Sequence, residues 1–198
     1  MSETLELLKK AGIKVDPKEA AGRKLAFFSK DKKYRFLVVR PTDVPVYVEH
    51  GAADLGIAGK DVLAEGQESV AELLDLKIGY CRLVVAAPQG SKNIYKQNLR
   101  IATKFGNSAE RFFTQKGIKA EIIKLYGSVE LAPKMGLADA IVDLTATGTT
   151  LAENDLTIID TILRSSARLV ANKVKLRVNY ESIFSLASKL QRIISQRK

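Results

Sequence analysis

The chain has 198 residues, 46% of them hydrophobic and 27% charged, which suits a soluble globular protein of one large domain or two small ones. No run approaches bilayer-spanning length, and the polar start Met1-Ser2-Glu3-Thr4 is no secretory signal, so no membrane association and a cytoplasmic location are expected. One cysteine (Cys81) and one histidine (His50) exclude a disulfide framework and Cys- or His-pair metal motifs, while a net charge of +10, spread rather than blocked, fits polyanionic small substrates and not nucleic acid.

In chain order, Thr4 to Ala11 reads as an amphipathic helix stopped by Gly12. Lys24 to Phe28 and Tyr34 to Val39 read as strands around the polar turn Asp31-Lys32-Lys33, hence a hairpin. Pro41 and Pro45 bracket a turn, and Val44 to His50 starts a helix. Asp54 to Ile57 is a short strand, and Asp61 is expected to cap a helix over Val62 to Glu65. Ala71 to Leu76 is a weak segment, and Gly79 to Ala87 a strand. Pro88-Gln89-Gly90-Ser91 is the strongest boundary signal, after which the alternation restarts. Strands are expected over Arg100 to Thr103, Ala120 to Leu125, Ala140 to Val142, Thr157 to Leu163 and Ala167 to Ala171. Helices are expected over Ser108 to Lys116, Val129 to Met135, from Leu151, and over Tyr180 to Ser195. Such alternation predicts an α/β fold.

The run Glu130 to Leu151 carries the chemistry. A short apolar strand ends at Asp143, and Thr145-Ala146-Thr147-Gly148-Thr149-Thr150 leads into a helix start. Unpaired N–H groups, the helix dipole and threonine hydroxyls make such a turn an anion cradle, with Gly148 keeping a Cβ out of the way. Asp143 repels phosphate but accepts from sugar hydroxyls, so the pair suits a ribose 5-phosphate. Taken alone, the same residues also make an ordinary strand-to-helix turn with a threonine cap. Gly56-Ile57-Ala58-Gly59-Lys60-Asp61 lacks the spacing of a Walker loop.

Glu130-Leu131-Ala132-Pro133, Gly136-Leu137-Ala138-Asp139, Ile141-Val142-Asp143 and Thr147-Gly148-Thr149-Thr150-Leu151 together resemble the ATP phosphoribosyltransferase family of histidine biosynthesis. Arg40-Pro41-Thr42-Asp43-Val44-Pro45, the run Gly51 to Gly59, and Arg100-Ile101-Ala102-Thr103-Lys104-Phe105 resemble it too, in the same order. The resemblance implies a two-lobed fold like that of type II periplasmic binding proteins, with the active site in the inter-lobe cleft. Lobe I would be 1–87 plus 169–198, and lobe II 88–168. The implied reaction is attack by N1 of ATP on C1 of phosphoribosyl pyrophosphate, releasing pyrophosphate. Arg23 and Arg40 would act on the leaving group as catalytic residues. Substrate would be held by Lys104, Glu130, Asp143, Thr145, Ala146, Thr147, Gly148, Thr149 and Thr150. Mg²⁺ would ride on the substrate's phosphates, with no protein metal site.

The family opens with an apolar strand and a Pro-Lys-Gly-Arg-Leu turn, whereas this chain starts on the first helix, so that strand and basic turn are expected to be missing. Its short C-terminus resembles the short form, which implies a homodimer within a hetero-oligomer containing a histidyl-tRNA-synthetase-like regulatory subunit. Two other readings remain: a non-catalytic anion-binding module on the same fold, and an ordinary nucleobase phosphoribosyltransferase. The latter usually places two adjacent acids before the turn, where this chain has Asp143-Leu144.

Overall fold

The computed structural model describes residues 2–91 and 94–196. The chain divides into two compact units, 1–79 with 166–198 and 80–165. In the first, α1 (Ser2–Lys10) buries Leu7 and Leu8. They pack with Leu76, Ile78 and Leu169 and with Leu186, Leu190 and Ile194 of α9 (Tyr180–Ser195). The buried positions of α9 recur at three- and four-residue steps, which puts them on one stripe. Strands β3 (Leu55–Gly59), β4 (Val70–Asp75) and β10 (Ala167–Asn172) form an antiparallel sheet in the order β3-β10-β4. A separate hairpin pairs β1 (Ala26–Phe28) with β2 (Arg35–Leu37), Phe27 stacking on Phe36 across it.

Two short helices of this unit escape periodicity, because five or six residues show no period. Both have a side-chain cap. Asp16 accepts from the Lys18 N–H at α2 (Pro17–Ala21), and Asn172 accepts from the Val174 and Lys175 N–H groups at α8 (Lys173–Val178). Between them, α3 spans Val44–Glu49. Helix α4 (Lys60–Glu65) starts two residues earlier than expected. Gly59 holds its cap position, and Asp61 lies buried in the first turn instead of capping.

The second unit holds a five-stranded sheet in the order β7-β6-β8-β5-β9. Its strands are β5 (Cys81–Pro88), β6 (Leu99–Thr103), β7 (Ala120–Lys124), β8 (Ala140–Thr145) and β9 (Leu156–Ser165). Strand β6 runs parallel to β7 and β8, while β5 is antiparallel to β8 and β9. Helix α5 (Gly106–Gln115) covers one face through Ala109 and Phe113, packed on Leu83, Val85, Ile101 and Val142. On the other face, α6 (Leu131–Lys134) and α7 (Thr149–Glu153) pack Ala132 and Leu151 on Val84, Ala86 and Ile141. Burial on both faces explains why Leu83 to Ala87 reads as an unbroken apolar run.

The chain enters this unit after Gly79 and leaves it at Ser166, not after Ala87 and at Leu169 as the sequence suggests. Strand β5 pairs with β9 from Cys81 to Pro88, so all of it belongs to the second sheet. The Pro88–Ser91 signal is a turn inside that unit, tied by Gln89 N–H to Asp155 O at 2.9 Å. On the return, Ala167 already pairs with Gly59 of the first sheet.

Candidate active site

The parallel ladder between β6 and β8 ends at the pair Thr103 and Val142. Thr103 is fully buried. Its hydroxyl donates to Val142 O at 2.6 Å and accepts from the Phe105 N–H at 2.8 Å. One side chain therefore fixes the residue before Asp143 and the residue after Lys104. Lys104 and Asp143 lie just past the ladder, with Nζ and Oδ1 3.7 Å apart. That is ion-pair range but too long for a hydrogen bond.

Asp143 is the anomalous carboxylate. Its side chain is 15% exposed, and Oδ1 is buried without a hydrogen-bond partner. Burial pushes its pKa above the ordinary aspartate value, the Leu144 N–H and Lys104 pull back, and neighbouring Glu130 pushes it up further. Glu130 stands at the cap position of α6 and makes no capping hydrogen bond there. Two carboxylates thus converge where one oxygen lacks a donor, an arrangement made to accept hydroxyl hydrogens from outside.

The turn after β8 is built from its own threonines. Thr145 Oγ1 accepts from the Gly148 N–H at 2.8 Å, and the Thr147 and Thr149 hydroxyls bond each other at 2.9 Å. Gly148 sits at φ 88°, which a side chain adopts only under strain. The Gly148 donor is therefore used internally, and the N–H groups of Ala146, Thr147 and Thr150 are the ones without an acceptor among the described residues. Thr147, Thr149 and Thr150 are exposed.

Of the residues singled out from sequence, the structure brings together Lys104, Glu130, Asp143 and Thr145 to Thr150, all in the second unit. Arg23 and Arg40 belong to the first unit and are exposed. Arg40 precedes the 3₁₀ turn Pro41–Asp43, and the Asp43 carboxylate accepts from the Thr42 hydroxyl at 3.1 Å. Thr103 was not singled out, because nothing local distinguishes a buried threonine at a strand end from an exposed one.

The family profile HisG, ATP phosphoribosyltransferase, matches residues 40–192. An ATP phosphoribosyltransferase of Caldanaerobacter subterraneus subsp. tengcongensis is 49% identical over 193 residues, covering 98% of this chain and 92% of the relative. One from Moorella thermoacetica is 48% identical over 202 residues, covering 98% and 89%. The solved ATP phosphoribosyl transferase (HisG:HisZ) complex from Thermotoga maritima contains a chain 40% identical to this one, with TM-score 0.82 over 98% of this chain and 93% of that one. An ancestral arginine-binding protein bound to arginine aligns with TM-score 0.64 over 98% and 81% at 15% identity, which shows a shared binding-protein fold and nothing more. With one profile spanning 40–192 and full-length relatives near half identity, the chain belongs to the ATP phosphoribosyltransferase family.

Proposed function

We propose that the chain transfers the phosphoribosyl group of phosphoribosyl pyrophosphate to N1 of ATP, giving N1-(5-phosphoribosyl)-ATP and pyrophosphate, the first step of histidine biosynthesis. The observation that carries the site assignment is the orphaned Oδ1 of Asp143, beside Glu130 and two residues before a turn with unused N–H groups. The turn from Thr145 to Thr150 would hold the 5-phosphate through the Ala146, Thr147 and Thr150 N–H groups and the exposed hydroxyls. Asp143 and Glu130 would accept from the ribose hydroxyls, which fixes the ring against attack. Lys104 partly offsets the burial that raises the Asp143 pKa, and it offers charge to a nearby phosphate. Arg23 and Arg40 would take the negative charge that grows on the pyrophosphate as the C1–O bond breaks and configuration inverts. No covalent enzyme intermediate is needed.

Among the described residues no three His, Cys, Asp or Glu side chains form a metal cluster. The donors present suit Mg²⁺ carried on substrate phosphates, with Asp143 and Glu130 as the nearby carboxylates, and the ion would supply charge neutralisation of the pyrophosphate. No helix among the described residues is long and apolar enough to cross a membrane, in keeping with a cytoplasmic enzyme. The HisG:HisZ composition of the Thermotoga complex supports a hetero-oligomer for this chain; the family resemblance makes the chain a homodimer within it and its partner a regulatory subunit similar to histidyl-tRNA synthetase.

The test is a thermal melt with Mg²⁺ and phosphoribosyl pyrophosphate, followed by turnover with ATP and the partner subunit. A ligand that binds only the folded state raises Tm. The parent should respond and Gly148→Val should not; equal shifts would remove the substrate from this turn. Free nucleobases should not replace ATP as acceptor.

A further inference from the structure

Strand β5 carries an arginine that the reading above leaves unused. Arg82 is directly opposite Thr145 of β8 on one side and Arg164 of β9 on the other. Residues opposed in an antiparallel ladder project from the same face of the sheet. Leu83, Leu144 and Leu163, one residue along, pack into the cluster on the α5 face. Arg82, Thr145 and Arg164 therefore project from the other face, which also carries Asp143 two residues back along β8. That face bears α6 and α7, and Thr145 opens the phosphate turn.

Two like charges directly opposed across strands destabilise a sheet unless something neutralises them. Two other strand arginines are matched. Arg100 pairs with Asp139 at 3.2 Å, and Arg168 lies 3.4 and 3.3 Å from Glu72 and Asp75. Arg82 is half-buried, Arg164 is exposed, and among the described residues neither guanidinium has a hydrogen-bond or ion-pair partner. Asp143, the nearest acid on that face by register, is paired with Lys104 instead.

We infer that Arg82, with Arg164 beside it, is an anion-binding pair that holds phosphate oxygens of a substrate seated against the Thr145–Thr150 turn. A guanidinium presents parallel N–H groups that grip two oxygens of one phosphate, and the second arginine raises the local potential. The ligand chemistry is a phosphoryl group, either the 5-phosphate of the phosphoribosyl donor or the triphosphate of ATP. The inference rests on the site reading above and extends it to a strand outside the motif.

The full chain, with its partner subunit for turnover, is tested as Arg82→Gln, Arg82→Lys, Arg164→Gln and the double Gln variant. Each substrate is varied separately, and inorganic phosphate serves as a melting probe, with Gly148→Val as the control that places the probe on the turn. Arg82→Gln should raise one KM about tenfold or more, the size of a lost charge-assisted hydrogen bond. Arg164→Gln should raise the same KM about threefold, the effect fading with added salt. A raised KM for the phosphoribosyl donor, with loss of the phosphate-induced shift, assigns the 5-phosphate. A raised KM for ATP with that shift kept assigns the triphosphate. If Arg82→Gln does not fold, Arg82→Lys keeps the charge without the fork and should show the same rise in weaker form. Folded variants with both KM values and the phosphate shift of the parent overturn the pair. An unchanged Asp143→Asn enzyme would instead overturn the site reading on which it stands.

Discussion

Two aspartates at strand ends, one in each unit, take opposite environments from similar positions. Asp75, at the end of β4, accepts from the Ser166 hydroxyl at 2.7 Å and the Lys77 N–H at 3.0 Å, with Lys77 Nζ at 2.9 Å and Arg168 at 3.3 Å. Burial alone would raise its pKa. The Lys77, Ser166 and Arg168 partners together outweigh burial and bring it down to about 2. Asp143, near the end of β8, has one oxygen with no donor and an acid for a neighbour, and its pKa goes up. A carboxylate whose donors are all supplied by the protein braces the fold. One whose donors are withheld is waiting for them. That contrast separates brace from binding group without reference to fold.

The largest effect expected is on Asp143→Asn. It should lower kcat/KM about 100-fold, roughly 2.7 kcal/mol at about 1.36 kcal/mol per tenfold, measured with ATP and phosphoribosyl pyrophosphate. Its Tm should hold or rise, because a buried charge lacking a hydrogen bond is removed. The reverse pattern, an unstable but active variant, would break the comparison. Asp75→Asn should lose about 2 kcal/mol of stability, the worth of a hydrogen bond to a charged group. For a chain of this size that lowers Tm by roughly 4–8 °C, with kinetic constants unchanged.

Thr103→Val tests the residue that holds the site's two strand ends together. It leaves the Phe105 N–H and Val142 C=O without a partner, a cost of about 1–3 kcal/mol. Thr103→Ser keeps the hydroxyl and should lie closer to the parent in both Tm and kcat/KM. The smallest effect is on pH dependence. Asp75 has a depressed pKa, so its stabilisation is present above the unfolded value of about 3.9 and is lost as pH falls toward about 2. Asp143 has a raised pKa, so its contribution is most favourable below about 3.9 and declines as pH rises through the folded value. Chemical denaturation from pH 2 to 6, parent against each Asn variant, should give difference curves of opposite slope.

What was legible from the residues was local. Asp143, the threonine turn and Gly148 lie within eight positions, and the strand–turn–helix they form was readable there. The chemistry of that site was not. That Oδ1 of Asp143 is orphaned and that Arg82 stands opposite Thr145 depend on the packing of distant strands, and that Thr145 consumes the Gly148 N–H depends on the folded geometry of the turn itself. The same limit displaced the boundary. Pro88-Gln89-Gly90-Ser91 marks a turn correctly, but a turn signal does not say which sheet the strand before it joins. Asp61 is not the cap because the helix starts two residues earlier, with Gly59 in the cap position.

The strand order of the first sheet also bears on how the protein is made. Its middle strand, β10, is translated after the whole second unit, while its neighbours β3 and β4 emerge before it. About 90 residues separate them, so at roughly 5–20 residues per second the nascent chain carries a sheet with an empty central slot for roughly 5–20 seconds. Through that interval the facing edges of β3 and β4 are open to any passing strand. The second unit is complete once Ser165 has left the ribosome, so its site should be the first part of the molecule to mature on the way to the finished fold.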